Sequence, residues 1–507
     1  MADPIRNIVI VGGGTAGWMA AAMMARLLGG GRVSIQLIES DAIGTIGVGE
    51  ATIPAIRDFN ALLGIDERDF LRATQGSFKM GIEFVNWLRV GHHYLHPFGT
   101  HGRDTQNVRF HQLWLKLIHD GLATSEDDLA AYSISALAAG RGRFSLPESN
   151  GNHPLSTLNY AFHFDAALYA RYLRGWSERQ GVIRHEGTVQ SVGRDGEKGL
   201  VRSVTLADGS AIEGDLFIDC SGFRALLLGE ALAEPFEDWS AWLPCDRAIA
   251  IPSAVLDPLP PFTRAIADAA GWRWRIPLQH RTGNGYVYSS AHIDDDAAQA
   301  RLIATLETPA CGEPRRLSFR AGRRRRAWCQ NVVAIGLSAG FLEPLESTSI
   351  HLVHTGIARL MTFFPDMQFA APDRDAFNQQ TAREYEAIRD FLILHYKATE
   401  RTDTPFWQQC RTMAVPDTLA RKIDLFRSKG RILRDADDLF SQDSWLAVLI
   451  GQAIMPAGHD PLADAIPVDA LRQQMTALRA ALARAVEPLP AHSDFLAHYT
   501  NGSPIHV

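Results

Sequence analysis

NIVIVGGGTAGW, Asn7–Trp18, is the stretch on which the fold turns. The apolar run Ile8 to Val11 has the composition of a buried strand. It breaks into glycines and then into an apolar, alanine-rich stretch from Ala16 to about Leu28, which predicts a helix. Gly12, Gly14 and Gly17 stand between the two at the spacing GxGxxG. The first glycine permits the tight turn, the second lets the backbone approach a pyrophosphate, and the third lets helix and strand pack closely. Thr15 and Ala16 follow at the helix start, where free N–H groups favour phosphate charge. A second strand, VSIQLIES, runs from Val33 to about Glu39 and completes half of a βαβ unit. Glu39 lies 22 residues after Gly17, where an acid can bind ribose hydroxyls. Strand, glycine turn, helix and acid together predict a dinucleotide site in a Rossmann-like α/β domain.

Outward from this core, Gly187 to Cys220 reads as short alternating strands parted by the turn sequences RDGEKG and ADGS. The segment EGDLFIDCSGFRALL, with Asp219, Ser221 and Gly222, resembles the second strand-and-turn motif of FAD-dependent, hydroxylase-type flavoproteins. The region around Val189 resembles the strand whose backbone contacts adenine in that group, so FAD is the expected nucleotide. A further buried strand, NVVAIG, spans Asn331 to Gly336 and precedes a helix starting near Ser347 or Thr348. After Pro372 the spacing of Phe377, Tyr385, Ile388, Phe391 and Leu392, and later of Leu471, Met475, Leu478 and Leu482, is helical. The expected organisation is a discontinuous FAD-binding domain of residues 1–100, 150–235 and 325–365. A β-rich substrate region (100–150 and 235–325) interrupts it, and a helical substrate-covering region (365–507) ends the chain.

The chain of 507 residues is 46% hydrophobic and 21% charged, with a net charge of -7. That balance is globular and offers no general basic face for nucleic acid. The run Arg323–Arg326 reads as a solvated turn. Five scattered cysteines without a CxxC pair fit a reducing compartment and argue against a disulfide framework or a zinc site. His92, His93, His96 and His101 spread over a loop and lack the ligand spacing of a metal centre. No leader precedes the first strand and no apolar stretch is long enough to span a bilayer, so a cytoplasmic location is expected.

Four stretches carry a more specific resemblance. They are GGGTAGW (Gly12–Trp18), GVGEATIP (Gly47–Pro54), GWRWRIP (Gly271–Pro277) and GFLEPLESTSIHL (Gly340–Leu352), and a lysine in GSFKMGIEF joins them. In this combination the chain resembles the flavin-dependent tryptophan halogenases over almost its whole length. The Trp-x-Trp-x-Ile-Pro element is the most specific of the set and separates these enzymes from related monooxygenases. The resemblance implies reduced FAD delivered by a separate flavin reductase, since no second dinucleotide motif is present, together with dioxygen and chloride or bromide. It places the flavin against Gly49, Leu337 and Ile350 and the halide at the amides of Thr348 and Ser349. Many tryptophan halogenases carry glycine where Ser349 stands, so the turn there is expected to be less permissive.

Lys79 sits among Phe78, Met80 and Ile82, where lysine is a poor filler. An ammonium there can hydrogen-bond hypohalous acid, and the free amine can form a haloamine. The alternative is a surface lysine snorkelling past an apolar patch. Glu346 can stabilise the cationic ring intermediate and remove its proton; its other reading is an acid at a helix N-terminus, with Ser347 or Thr348 as caps. Trp272 and Trp274 are expected to wall the aromatic substrate off from the flavin, or to be two core aromatics at i and i+2. His101 is expected to line the substrate pocket.

At the substrate end, tryptophan halogenases carry a Tyr-Tyr pair that helps clamp the amino-acid backbone. This sequence reads SWLAVLIGQ there, with Trp445 and Leu446. A zwitterion buried without polar partners is costly, so the expected substrate is free indole or a simple derivative, with Trp445 stacking on its ring. The competing readings are an aromatic monooxygenase and a flavin-binding protein without chemistry of its own.

Overall fold

Val11, the last residue of strand Asn7–Val11, lies between Ile38 and Asp219 of its two parallel neighbours, so three C-terminal strand ends meet at the glycine turn. The full sheet runs Trp328–Cys329, Val332–Ala334, Leu216–Asp219, Asn7–Val11, Ser34–Glu39, Ile183–Glu186. All of these pairings are parallel except the first. Chain order reverses at Asn7–Val11, and in doubly wound sheets the crevice beyond such a switch point takes the ligand. A computed structural model describes residues 3–31, 33–43, 49–105, 108–436 and 438–502 of the chain.

Burial explains these sequences. Ile8, Val9, Ile10 and Val11 are at most 2% exposed, and each such side chain contributes about 1.5–3 kcal/mol on leaving water. Helix Thr15–Leu28 is buried without a break from Gly17 to Ala25. Its three successive alanines share that enclosed stretch with the larger Trp18, Met19, Met23 and Met24, so small and large side chains together fill the space around the helix.

The chain forms two compact units, each assembled from three separated segments. The first comprises Met1–Gly76, Phe164–Ala241 and Ser318–Glu386 and contains the parallel sheet. A three-stranded antiparallel meander (Val189–Arg194, Val201–Leu206, Ala211–Glu213) accounts for the alternating region and its two turns. Arg323 corrects the expectation of a solvated turn: it is 7% exposed on strand Gly322–Arg324 and bridges Glu237 and Glu386, both at 2.9 Å. Arg326 forks onto the buried carboxylate of Glu234. Three buried or half-buried acids therefore pair with Arg323 and Arg326 of this run, while Arg325 and the outer part of Arg326 face solvent.

The second unit comprises Ser77–His163, Trp242–Leu317 and Ala387–Val507. Six of the seven strands of its main sheet follow the order Arg247–Ser253, Thr282–Tyr288, Gly271–Pro277, Thr263–Asp268, Gly81–Val85, His93–Pro97. Only the Thr263–Asp268 and Gly81–Val85 pair is parallel. His93 and His96 thus belong to an edge strand instead of a loop. The later part of the unit is helical, including Gln442–Gly451, capped by Ser441, and the last helix, His492–Asn501. Among the described residues no helix is long and apolar enough to cross a membrane.

Candidate active site

The glycine turn in the first unit has the shape its spacing predicts. Gly12 has φ +114, and a Cβ there would lie 2.2 Å from the Cys220 carbonyl oxygen, so only glycine is tolerated. A Cβ on Gly17 would meet the Gly12 oxygen at 1.8 Å, the close helix–strand contact expected of the third glycine. A Cβ on Gly14 would meet nothing within 4 Å. Gly14 also caps Thr15–Leu28 without any side-chain hydrogen bond, and the first turn holds no acid. Open space in front of uncapped amides fits a pyrophosphate, so these residues suit FAD.

Glu39 ends its strand beside this turn, with its backbone oxygen accepting from Gly187 N at 2.8 Å. Val189 opens its strand two residues later. The Glu39 carboxylate accepts from Trp18 Nε1 at 3.2 Å, Arg184 Nε at 2.5 Å and Arg174 Nη1 at 3.3 Å. These partners orient the acid, and sequence spacing gave no sign of them. Asp219 is fully buried; its two oxygens accept from Ser221 N and from the amides of Leu227 and Leu228, which folds the following segment back over the sheet. Of GVGEATIP, Gly47 and Val48 lie outside the described residues, while Gly49 is buried. Burial pushes the adjacent Glu50 carboxyl up to about 7.

Leu337 lies half-buried in the 3-10 turn Gly336–Ser338, which packs on the start of Thr15–Leu28, since a Cβ on Gly336 would meet Ala16 Cβ at 2.9 Å. Glu346, 1% exposed, closes the next such turn, Pro344–Glu346. Ser347 then takes the left-handed conformation at φ 59, and helix Ser349–Thr362 begins. Two expectations need correction here. Thr348 is the N-cap residue but makes no side-chain cap; its buried Oγ1 has no hydrogen-bond partner among the described residues. Ser349 is not among the described residues with positive φ, so the chain needs no glycine there; the strained position is Ser347. Ile350 is 7% exposed on the same helix.

The next residue, His351, was not singled out by its sequence. Its Nε2 lies 3.3 Å from Glu384, a buried acid that also accepts from Arg359 Nη2 at 2.9 Å and Thr355 Oγ1 at 3.0 Å. Burial opposes the charge on Glu384, but the His351 and Arg359 contacts outweigh it and hold the carboxyl below its usual range. The only sequence signal was a histidine inside the ESTSIHL motif; Glu384 stands 33 residues further on.

In the second unit, Lys79 ends strand Ser77–Lys79 opposite Ala161 and is 0% exposed, which excludes the snorkelling alternative. Its Nζ lies 5.0 Å from the centroid of the Phe98 ring. Trp272 and Trp274 sit on one face of Gly271–Pro277 with ring centroids 6.2 Å apart. Both are buried, Trp274 lying against Gly285, where a Cβ would come within 2.0 Å of its ring. Neither indole N–H has a partner among the described residues. Ser77 Oγ donates to the carbonyl of Pro277 at 2.7 Å, tying the lysine strand to the tryptophan strand.

His101 is 4% exposed, and its backbone N donates to Asp443 Oδ1 at 2.8 Å, with its ring Nδ1 3.2 Å from the same oxygen. Burial raises the Asp443 pKa, yet its bonds to His101 lower it below the usual carboxylate range. Asp443 therefore brings His101 onto helix Gln442–Gly451, the helix of Trp445 and Leu446. Trp445 is 2% exposed; Phe391 meets it edge-on at 4.9 Å and Lys422 Nζ lies 4.9 Å from its ring centroid. A cavity of about 380 Å³, lined in part by Val108, His111, Leu433, Gln442 and Leu462, opens at the start of this helix. Among the described residues no group of three or more His, Cys, Asp or Glu could hold a metal ion.

Comparison with known proteins adds a third line. The profile of the tryptophan halogenase family matches residues 7–468. The chain is 35% identical to the tryptophan 6-halogenase SttH of Streptomyces toxytricini, over 97% of this chain and 98% of that protein. Among solved structures it superposes on BrvH, a flavin-dependent halogenase from Brevundimonas sp. BAL3, with a TM-score of 0.94 and 49% identity over 99% of both chains. Xcc4156, a flavin-dependent halogenase from Xanthomonas campestris, gives a TM-score of 0.94 at 47% identity, over 99% of this chain and 100% of that one.

Proposed function

Since the chain belongs to the tryptophan halogenase family, a family of flavin-dependent oxidoreductases, we propose that it halogenates free indole or a simple indole derivative. Bound as FADH2 supplied by a separate reductase, the flavin, with dioxygen and chloride or bromide, provides the oxidising chemistry that yields hypohalous acid. The residues that would hold it are the Gly12–Gly17 turn with Thr15 and Ala16, Glu39, Gly49, Val189, Leu337 and Ile350. The Thr348 and Ser349 amides would hold the halide.

Lys79 takes the oxidant and holds it for the substrate. Its ammonium hydrogen-bonds hypohalous acid; as the free amine it takes the halogen and releases water. An enclosed amine beside an aromatic face has few conformers, and alignment of reacting groups accounts for a large part of a barrier. Glu346 takes the proton that the ring loses once the carbon–halogen bond has formed. Trp272 and Trp274 keep the aromatic away from the flavin, so only the halogen oxidant reaches it.

The substrate proposal rests on one observation. Trp445 and Leu446 are both buried, at 2% and 1% exposure, where a Tyr-Tyr pair would hold an amino-acid head group. Neither offers a hydroxyl, and Trp445 already has Phe391 and Lys422 against its ring. We therefore read it as a wall of the pocket more than as a stacking platform. An apolar pocket discriminates by only about 1–3 kcal/mol per methylene, whereas polar anchors discriminate far more. Indole should accordingly be used with higher kcat/KM than free tryptophan. With no anchor to turn another carbon forward, the product should carry halogen at C3. A competition assay with equal indole and tryptophan, read by product mass spectrometry, tests this. Preferential ring halogenation of tryptophan at one benzo position would overturn the substrate assignment. Oxygenated product without halide would favour the monooxygenase reading.

A further inference from the structure

Lys79 ends a strand of only three residues, so its position depends on what holds Ser77 and Phe78. Ser77 has two side-chain partners. Its hydroxyl donates to Pro277 O at 2.7 Å, which leaves it to accept from His163 Nδ1 at 3.0 Å. His163 Nε2 then accepts from Thr263 Oγ1 at 2.9 Å. Phe78 points to the other face of the strand. Its backbone N–H donates to His492 Nε2 at 3.2 Å, where a neighbouring strand would ordinarily supply a carbonyl. His492 Nδ1 in turn donates to Leu259 O at 3.0 Å. The Phe78 ring stacks on Phe144 at 4.1 Å and takes the edges of Phe495 and Tyr499, both on the last helix with His492.

The two partners of His492 fix its chemistry. Facing an N–H on one side and a carbonyl on the other, the ring must be neutral with its proton on Nδ1. A second proton would set N–H against N–H at Phe78 and remove the bond. The environment agrees: His492 is 0% exposed, and burial outweighs the Leu259 carbonyl to bring its pKa down to about 4. The charged and titratable groups close to this strand are Lys79, His163 and the phenols of Tyr160 and Tyr499, whose rings pack against Phe78; burial and Lys79 also hold His163 well below its usual value.

We propose that His492, carried by the C-terminal helix, is a positioning residue that holds the Lys79 strand in register for halogen transfer. The proposal rests on the reading of Lys79 as the group that guides the oxidant. Displacing a reacting group by about 1 Å can cost on the order of 100-fold, so a strand pinned by two side chains is sensitive to either pin.

The test measures where the oxidant goes. Wild type, His492→Leu, His492→Gln and Lys79→Ala are supplied with FAD, a reductase, bromide, indole and a hypohalite-trapping dione. In His492→Leu, halogenated product per flavin oxidised should fall about tenfold or more while trapped hypohalous acid rises. FAD affinity and the rate of reduced-flavin oxidation should stay close to wild type. Gln offers both an acceptor and a donor and should recover most of the product yield. A folded His492→Leu enzyme with the wild-type partition between product and trap would overturn the proposal. Wild-type product from Lys79→Ala would instead overturn the underlying lysine reading. Should His492→Leu fail to fold, hydrogen exchange on the wild type reads the same contact. Corrected for intrinsic rates, protection of the peptide Ser77–Met80 should be high at pH 7 and largely lost near pH 4; unchanged protection overturns the proposal.

Discussion

At the scale of single residues, the two clearest predictions separate binding from chemistry. Gly14 has φ -72 and open space where a side chain would go, so Gly14→Val should fold normally. The valine would occupy the space in front of the uncapped helix amides. FAD affinity should fall at least tenfold, a loss of about 1.4 kcal/mol or more. Flavin titration followed by fluorescence measures it, with an unchanged melting temperature in the absence of flavin as the control. Normal affinity would remove the pyrophosphate from this turn. Lys79→Ala addresses the second step. Halogenated product should vanish while reduced-flavin oxidation, and hence peroxide or trapped hypohalous acid, continues. A buried lysine truncated to alanine also leaves a cavity, at a cost of about 2–5 kcal/mol by analogy with other large-to-small changes. Lys79→Met fills that space and is the better control for folding. Ser349→Gly should change halide affinity little, because the left-handed residue of this turn is Ser347.

At the scale of elements, helix Gln442–Gly451 decides the substrate prediction. Restoring a polar pair with Trp445→Tyr and Leu446→Tyr should shift the ratio of kcat/KM for tryptophan over indole by about tenfold or more toward tryptophan. Both positions are buried, so any hydroxyl left unpaired costs about 1–3 kcal/mol of stability. A ratio that does not move would mean that the head group, if bound, is held elsewhere. The same helix shows where sequence reading stops. The Asn7–Val11 strand, the glycine turn, the Thr15–Leu28 helix and Glu39 were legible because their patterns are local and repeat a period. Trp445 was legible as different, but its contacts with Phe391 and Lys422, 54 and 23 residues before it, were not. Asp443 as the partner of His101, Glu384 under His351 and His492 behind Phe78 were illegible for the same reason. Each is a long-range pairing of one polar group with another, and no spacing rule encodes it. Arg323 was misread because a charge run looks alike whether water or neighbouring acids receive it.

At the scale of the whole molecule, buried titratable groups set how stability varies between pH 6.5 and 5. His492 has its folded pKa near 4, below the ordinary 6.5. Folding must then keep it neutral at a pH where the unfolded chain would take up a proton. Its penalty is absent above pH 6.5 and grows as pH falls toward 4. At 1.36 kcal/mol per unit, the loss from pH 6.5 to 5 is about 2 kcal/mol. His111, His163 and His354 are also lowered, mainly by burial, and act in the same direction. Glu50 opposes them. Its folded pKa near 7 lies above the ordinary 4.5, so its contribution is lost as pH rises and regained as pH falls across this window. Asp443 and Glu384, with lowered values, lose their contributions only at more acid pH. A melting curve of the wild type alone therefore sums opposing terms and identifies none. The difference between wild type and His492→Gln isolates one of them, because glutamine does not titrate and every other group is common to both. At roughly 2–4 °C per kcal/mol for a unit of this size, the wild type should lose about 4–8 °C more than the variant between pH 6.5 and 5. Equal losses would mean that His492 is protonated in the folded enzyme at pH 5 and cannot be accepting the Phe78 amide. The sign matters as much as the size: a variant that lost more than the wild type would place the neutral-histidine account the wrong way round.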